Sequence, residues 1–145
     1  MPLFERHCDV TWEGPIREGK GEAVAGTGVF RLPVTFLSRV EQPGGKTSPE
    51  ELIAAAHAAC YAMALTATMG KRNASARRLK VTATIEAEFE AGIRIKASHL
   101  NVVAEGLQGV DKSDFPQLAR DAEGGCPVSN ALRGSLAIDV EAQAI

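Results

Sequence analysis

The chain has 145 residues, enough for one domain with a real hydrophobic core. Of these, 45% are apolar and 23% charged, an ordinary balance for a soluble globular protein, and the net charge of −2 gives no field to attract nucleic acid or an anionic membrane. Three cysteines (Cys8, Cys60 and Cys126), with no CxxC and no repeated Cys/His pair, argue against a secreted disulfide framework and a structural zinc site. No cofactor or metal is expected, and catalytic or redox thiols stay open.

The opening "MPLFERHCDV" carries charges and no apolar h-region, so no secretory signal is expected and a cytoplasmic location is predicted. "HCDVTW" alternates as a strand should, "EGPIREG" reads as a turn, and "GEAVAGTGVFRLPVTFLSRV" offers two or more short strands punctuated by Gly28 and Pro33. "EQPGGK" then closes this β-region.

A long helix follows. Ser48 suits the N-cap, Pro49 suits N1, Glu51 completes a capping box three residues after Ser48, and Gly70 is placed to end the helix. From Leu52 to Met69 there are 18 residues without a formal charge, near the lower limit for a membrane span. Eight are alanine, and His57, Thr66 and Thr68 interrupt the rest, so a core helix buried on most faces is predicted instead. The basic residues just beyond it (Lys71, Arg72, Arg77, Arg78 and Lys80) read as a solvated connection to the next strand.

From Leu79 the period changes to two. Val81, Ala83, Ile85, Ala87 and Phe89 face one way, with Thr82, Thr84 and three glutamates on the other side. Ala91-Gly92 turns into "IRIKASHLNVVAE", whose alternation slips near His99 and Leu100 as at a bulge. This hairpin should cover the long helix. A second helix is expected over Asp114–Glu123, a third opens at Cys126-Pro127 and runs to about Arg133, and "SLAIDVEAQ" closes the chain as a strand. The order predicts a single α+β domain over 1–145, with a largely antiparallel sheet.

At about 100° per residue, Glu50, His57, Cys60, Tyr61 and Ala64 share one broad face of the long helix. Glu50 either favours the helix dipole or serves a site. His57, three residues before Cys60, is either part of an activated Cys–His pair or a buried histidine satisfied by hydrogen bonds. Cys60 lies too deep in its helix for help from the dipole, and apolar burial raises a thiol's pKa. Cys126, at an N-cap, is the more acidic thiol by local rules.

"TSPEELIAAAHAACYAMAL" together with "GGCPVSNAL", 66 positions from cysteine to cysteine, resembles the OsmC/Ohr family of thiol-dependent hydroperoxide reductases. "WEGPIREGKGE", "LSRV" and "LAIDVEA" extend the resemblance over nearly the whole chain, and the opening and the "HAAC" histidine look more like the OsmC branch. The resemblance implies that Cys60 attacks the peroxide and Cys126 resolves it. It also implies that Arg39 stabilises the thiolate and that Glu50 holds Arg39. His57 and Tyr61, beside Cys60 on the helix, are candidates for supporting places. Further implied are an OsmC-like fold in an intertwined homodimer and organic hydroperoxides as substrates, with hydrogen peroxide used less well. A dithiol reductant, dihydrolipoamide or a lipoylated protein, completes the set. Glu50 and Cys60 stand ~15 Å apart along the helix axis, so the arginine must bridge a long gap or take a remote or movable position. Ser48 stands where asparagine is usual and Tyr61 where phenylalanine is. Cys8 is extra and reads as a buried strand thiol without function. The alternatives are a non-catalytic thiol redox sensor or small-ligand binding protein, or cysteines that only pack a core.

Overall fold

Alternating residues on either side of "EGPIREG" build the first sheet. In the computed structural model, which describes residues 2–145, strands β1 (Cys8–Glu13), β2 (Lys20–Ala25) and β3 (Arg31–Val34) pair antiparallel in that order. Trp12 faces Gly21 across the β1–β2 pair, and a Cβ at Gly21 would come within 2.8 Å of the indole, so only glycine fits there. Along β1 every residue is exposed, Cys8 included, which corrects the expectation that Cys8 is a buried thiol. The reason is that β1 is an edge strand: among the described residues only β2 pairs with it.

"FLSRV", expected as strand, is instead helix α1 (Phe36–Val40). A capping box overrides its aromatic and β-branched residues: the Ser38 N–H donates to Thr35 Oγ1 at 3.0 Å, and the Thr35 N–H donates to Ser38 Oγ at 3.1 Å. Helix α2 (Pro49–Lys71) starts as predicted, with the Glu51 N–H donating to Ser48 Oγ at 3.1 Å. The Glu51 carboxylate accepts from the Thr47 hydroxyl at 2.7 Å, one residue upstream of the predicted partner.

Gly70 does not end α2. The helix runs one residue further, and Asn73 takes the left-handed conformation (φ 56°). The Ala74 N–H reaches the Met69 carbonyl at 2.8 Å and the Asn73 N–H reaches Gly70 at 3.2 Å, a Schellman closure built on asparagine, which tolerates this conformation.

The chain divides into two compact units, one up to Leu52 and one over Ile53–Ile145. In the second, β4 (Arg78–Phe89) and β5 (Ile93–Glu105) form the expected hairpin, and β6 (Ala137–Ala144) lies parallel to β5. Helices α3 (Phe115–Glu123) and α4 (Pro127–Leu132) supply the crossover that a parallel pair requires. Tyr61, Leu65 and Met69 of α2 pack with Leu100, Val102 and Ala104 of β5 and with Phe115 and Leu118 of α3. By length and mean hydropathy (1.5) α2 could cross a membrane, but this stripe belongs to a protein core. Burial in the single chain is one-sided: Ala55, Ala56, Ala59, Met63 and Ala67 stay exposed, against the expectation of burial on most faces. Alanine-rich helices show no polar stripe, so the sequence does not separate the two sides.

The predicted slip on β5 occurs earlier than expected. Glu86 pairs with Ala97 and Ala87 with Ile95, which leaves Lys96 as the extra residue of a bulge. Before it Ile93 and Ile95 face inward; after it Ser98, Leu100, Val102 and Ala104 do. The bulge therefore puts the Ser98 hydroxyl into the core and turns His99 outward.

Candidate active site

Cys60 sits on α2 between His57 and Tyr61, two fully buried residues, and is itself half-buried. Cys126 is completely buried and is the N-cap of α4, with extended backbone (φ −91°, ψ 111°), and its sulfur accepts from the Ser129 N–H at 3.4 Å. The two thiols are free and adjacent, and the Val128 backbone lies close to Cys60. The first turn of α4 thus turns one of its unpaired N–H groups, that of Ser129, toward the Cys126 sulfur. Burial pushes the Cys60 thiol up from its ordinary pKa; the nearby Val128 backbone opposes this and the neighbouring Cys126 adds to it.

His57 spends both ring nitrogens on serine hydroxyls rather than on Cys60. Its ring is wholly buried, with Nδ1 2.6 Å from Ser98 Oγ and Nε2 2.6 Å from Ser129 Oγ, so both nitrogens are engaged. Of the two readings open in the sequence, the satisfied buried histidine is the one found. Desolvation lowers its pKa, opposed by the charge of Glu123, so the ring is neutral at physiological pH. Tyr61 donates its hydroxyl to the Ala119 carbonyl at 2.6 Å, and burial raises its pKa far above the usual phenol range. That bond ties α2 to α3.

Ser98, Ser129 and Glu123 were not among the residues singled out from sequence. Ser129 carried a usable signal, because it follows Cys126-Pro127 at the N3 position of a capped helix. Ser98 carried none, since its inward direction depends on the bulge. The Glu123 carboxylate lies 2.9 Å from Arg133 Nη1 and is largely buried. Among the described residues no group of three or more His, Cys, Asp or Glu is arranged to hold a metal ion.

In the first unit, Arg39 from the last turn of α1 meets Glu50 from the first turn of α2. Arg39 Nε donates to Glu50 Oε1 at 2.9 Å and Oε2 at 3.0 Å, and Nη2 donates to Oε1 at 2.7 Å. The side chains are 29% and 14% exposed, so the pair is well shielded from water. Such a fork fixes the guanidinium plane.

Two adjacent thiols from distant parts of the chain, one at a helix N-cap, have the proximity that thiol–disulfide chemistry requires. A family profile described as "OsmC-like protein" matches residues 42–141. Peroxiredoxin OsmC of Escherichia coli (strain K12) is 38% identical over 133 residues, covering 90% of this chain and 91% of that protein. The organic hydroperoxide resistance protein of Xanthomonas axonopodis pv. citri is 32% identical over 64% of each chain. Among solved structures, an OsmC organic hydroperoxide resistance protein from Legionella pneumophila superposes with a TM-score of 0.75 at 22% identity and 99% coverage of both chains. OhrB of Bacillus subtilis gives 0.73 at 23%, covering 98% of this chain and all of that one. The chain belongs to the OsmC-like family, and its α+β fold is that of the OsmC and Ohr proteins.

Proposed function

We propose that this protein is a thiol-dependent peroxidase that reduces organic hydroperoxides to alcohols, and hydrogen peroxide less well. The observation that carries the reading is the adjacency of the free Cys60 and Cys126 thiols, side chains 66 positions apart in sequence. It is supported by the relatives named for peroxiredoxin activity and hydroperoxide resistance.

In this reading the Cys60 thiolate attacks the distal peroxide oxygen. The O–O bond breaks, the alkoxide takes a proton and leaves as alcohol, and Cys60 becomes a sulfenic acid. The Cys126 sulfur then attacks the Cys60 sulfur; the hydroxyl leaves as water, carrying the Cys126 proton, and a disulfide forms. A dithiol of the lipoyl type gives up two electrons and two protons to restore both thiols. Arg39, oriented by Glu50, supplies the positive charge that favours the thiolate over the burial that pushes Cys60 up. The 1–145 chain acts as one functional domain in the cytoplasm. A homodimer covers the exposed apolar side of α2, where Met63 is 72% exposed and flanked by alanines.

The test is consumption of cumene hydroperoxide with dihydrolipoamide, with thioredoxin and glutathione as comparison reductants. Cys60→Ser should abolish turnover, and Cys126→Ser should allow one oxidation of Cys60 and no dithiol-driven cycling. Turnover by Cys60→Ser at the parent rate would end the proposal. The raised pKa of Cys60 favours one alternative, a slow redox sensor, and stoichiometric oxidation without turnover would select it.

A further inference from the structure

His57 is a buried ionisable group with no part in the reaction above, yet its bonds lead to a reacting atom. A neutral imidazole donates at one nitrogen and accepts at the other, so one of its two serine partners accepts and the other donates. The partners differ in how firmly they are held. Ser98 stands in the middle strand of a sheet, paired with Ile85 on one side and Ile138 on the other. Ser129 belongs to α4, a six-residue helix too short to be stable by itself. The Ser129 N–H in turn holds the Cys126 sulfur at 3.4 Å. A continuous path therefore runs from the β5 backbone through Ser98, His57 and Ser129 to the thiol that faces Cys60.

We propose that His57 is a positioning residue for disulfide formation: by tying α4 to α2 through Ser129, with Ser98 orienting the ring, it fixes where the Cys126 thiol meets Cys60. This rests on the two-thiol reading above and adds to it a residue that touches neither peroxide nor sulfur. The neutral state that burial imposes suits the role, because a protonated ring would donate at both nitrogens and break the bond it now accepts.

The amide of glutamine reaches the place of Nε2 and that of asparagine the place of Nδ1. His57→Gln thus keeps the bond to Ser129, whereas His57→Asn keeps only the bond to Ser98. The experiment equilibrates the full chain in glutathione redox buffers, in a Cys8→Ser background so that the exposed thiol does not interfere. The Cys60–Cys126 disulfide fraction is read by alkylation and mass spectrometry. His57→Asn should lower the effective concentration of the thiol pair roughly tenfold, about 30 mV toward a less negative potential, and His57→Gln should stay within about twofold. Ser129→Ala removes the hydroxyl but keeps the backbone N–H, and should match His57→Asn; it carries the test if His57→Asn does not fold. Values within about twofold for both His57→Asn and Ser129→Ala would overturn the proposal. So would a loss in His57→Gln as large as in His57→Asn, or a parent chain that forms no Cys60–Cys126 disulfide. No peroxide enters this measurement, so a chain that forms the disulfide but fails to reduce peroxides would refute the peroxidase reading while leaving the His57 result legible.

Discussion

The Arg39–Glu50 fork gives the sharpest test of the proposed chemistry. Three charge-assisted hydrogen bonds hold the guanidinium, and the carboxylate side chain is only 14% exposed. An exposed ion pair is worth about 0–1 kcal/mol, but a shielded, bidentate one belongs with hydrogen bonds to charged groups, about 1.5–3 kcal/mol each. If that orientation is used only when negative charge is on the Cys60 sulfur, losing it costs about 2.7 kcal/mol of activation energy, or ~10²-fold in kcat/KM. Glu50→Gln and Arg39→Met should each show this loss, with little change in the alcohol product. The double variant should be no slower than Arg39→Met, because Glu50 acts through the arginine alone. The assay is initial peroxide consumption at limiting cumene hydroperoxide and saturating dithiol. A double variant slower by the product of the two single effects would refute the reasoning, as would a Glu50→Gln protein at the parent rate.

Tyr61→Phe removes the donor to the Ala119 carbonyl and should lower stability by about 1–2 kcal/mol, read as an earlier urea midpoint; an unchanged midpoint would show that the bond contributes nothing. Met63→Asp places a charge on the exposed apolar side of α2, and should convert a dimer to a monomer by size exclusion with light scattering. An unchanged dimer would put the interface elsewhere. His57 and His99 should give stability slopes of opposite sign. Burial lowers the folded pKa of His57, so the unfolded chain takes up a proton first and stability falls as pH drops below the ordinary value of 6.5; His57→Gln should lack that loss. His99 is raised by hydrogen bonds to Glu86 and Asp139, so its contribution is full below pH 6.5 and fades as pH rises through the raised value. The gap between parent and His99→Gln should narrow from pH 5 to pH 9, and high salt should shrink it, since the cluster is exposed.

Much of this protein is written in local patterns. The start of α2 was legible because Ser48 caps the Glu51 N–H three residues on and Pro49 has no N–H to satisfy. The β4–β5 hairpin was legible because a period of two survives any tertiary environment, and Cys126 at a helix N-cap followed from the Pro127 beside it. The candidate residues came from motif resemblance rather than from local physics, which on its own favoured Cys126 as the reactive thiol. What tertiary structure decided are features whose partners are far away in sequence. The bulge at Lys96 turned Ser98 toward His57, and the crossover of α3 and α4 carried Ser129 and Cys126 back to α2. Those contacts chose between two histidine roles that the spacing of His57 and Cys60 left open, because helical periodicity gives a side chain a direction but not a partner. The exposed side of α2 belongs to the same class: an alanine face has no pattern of its own, and only packing shows which half of it one chain leaves bare.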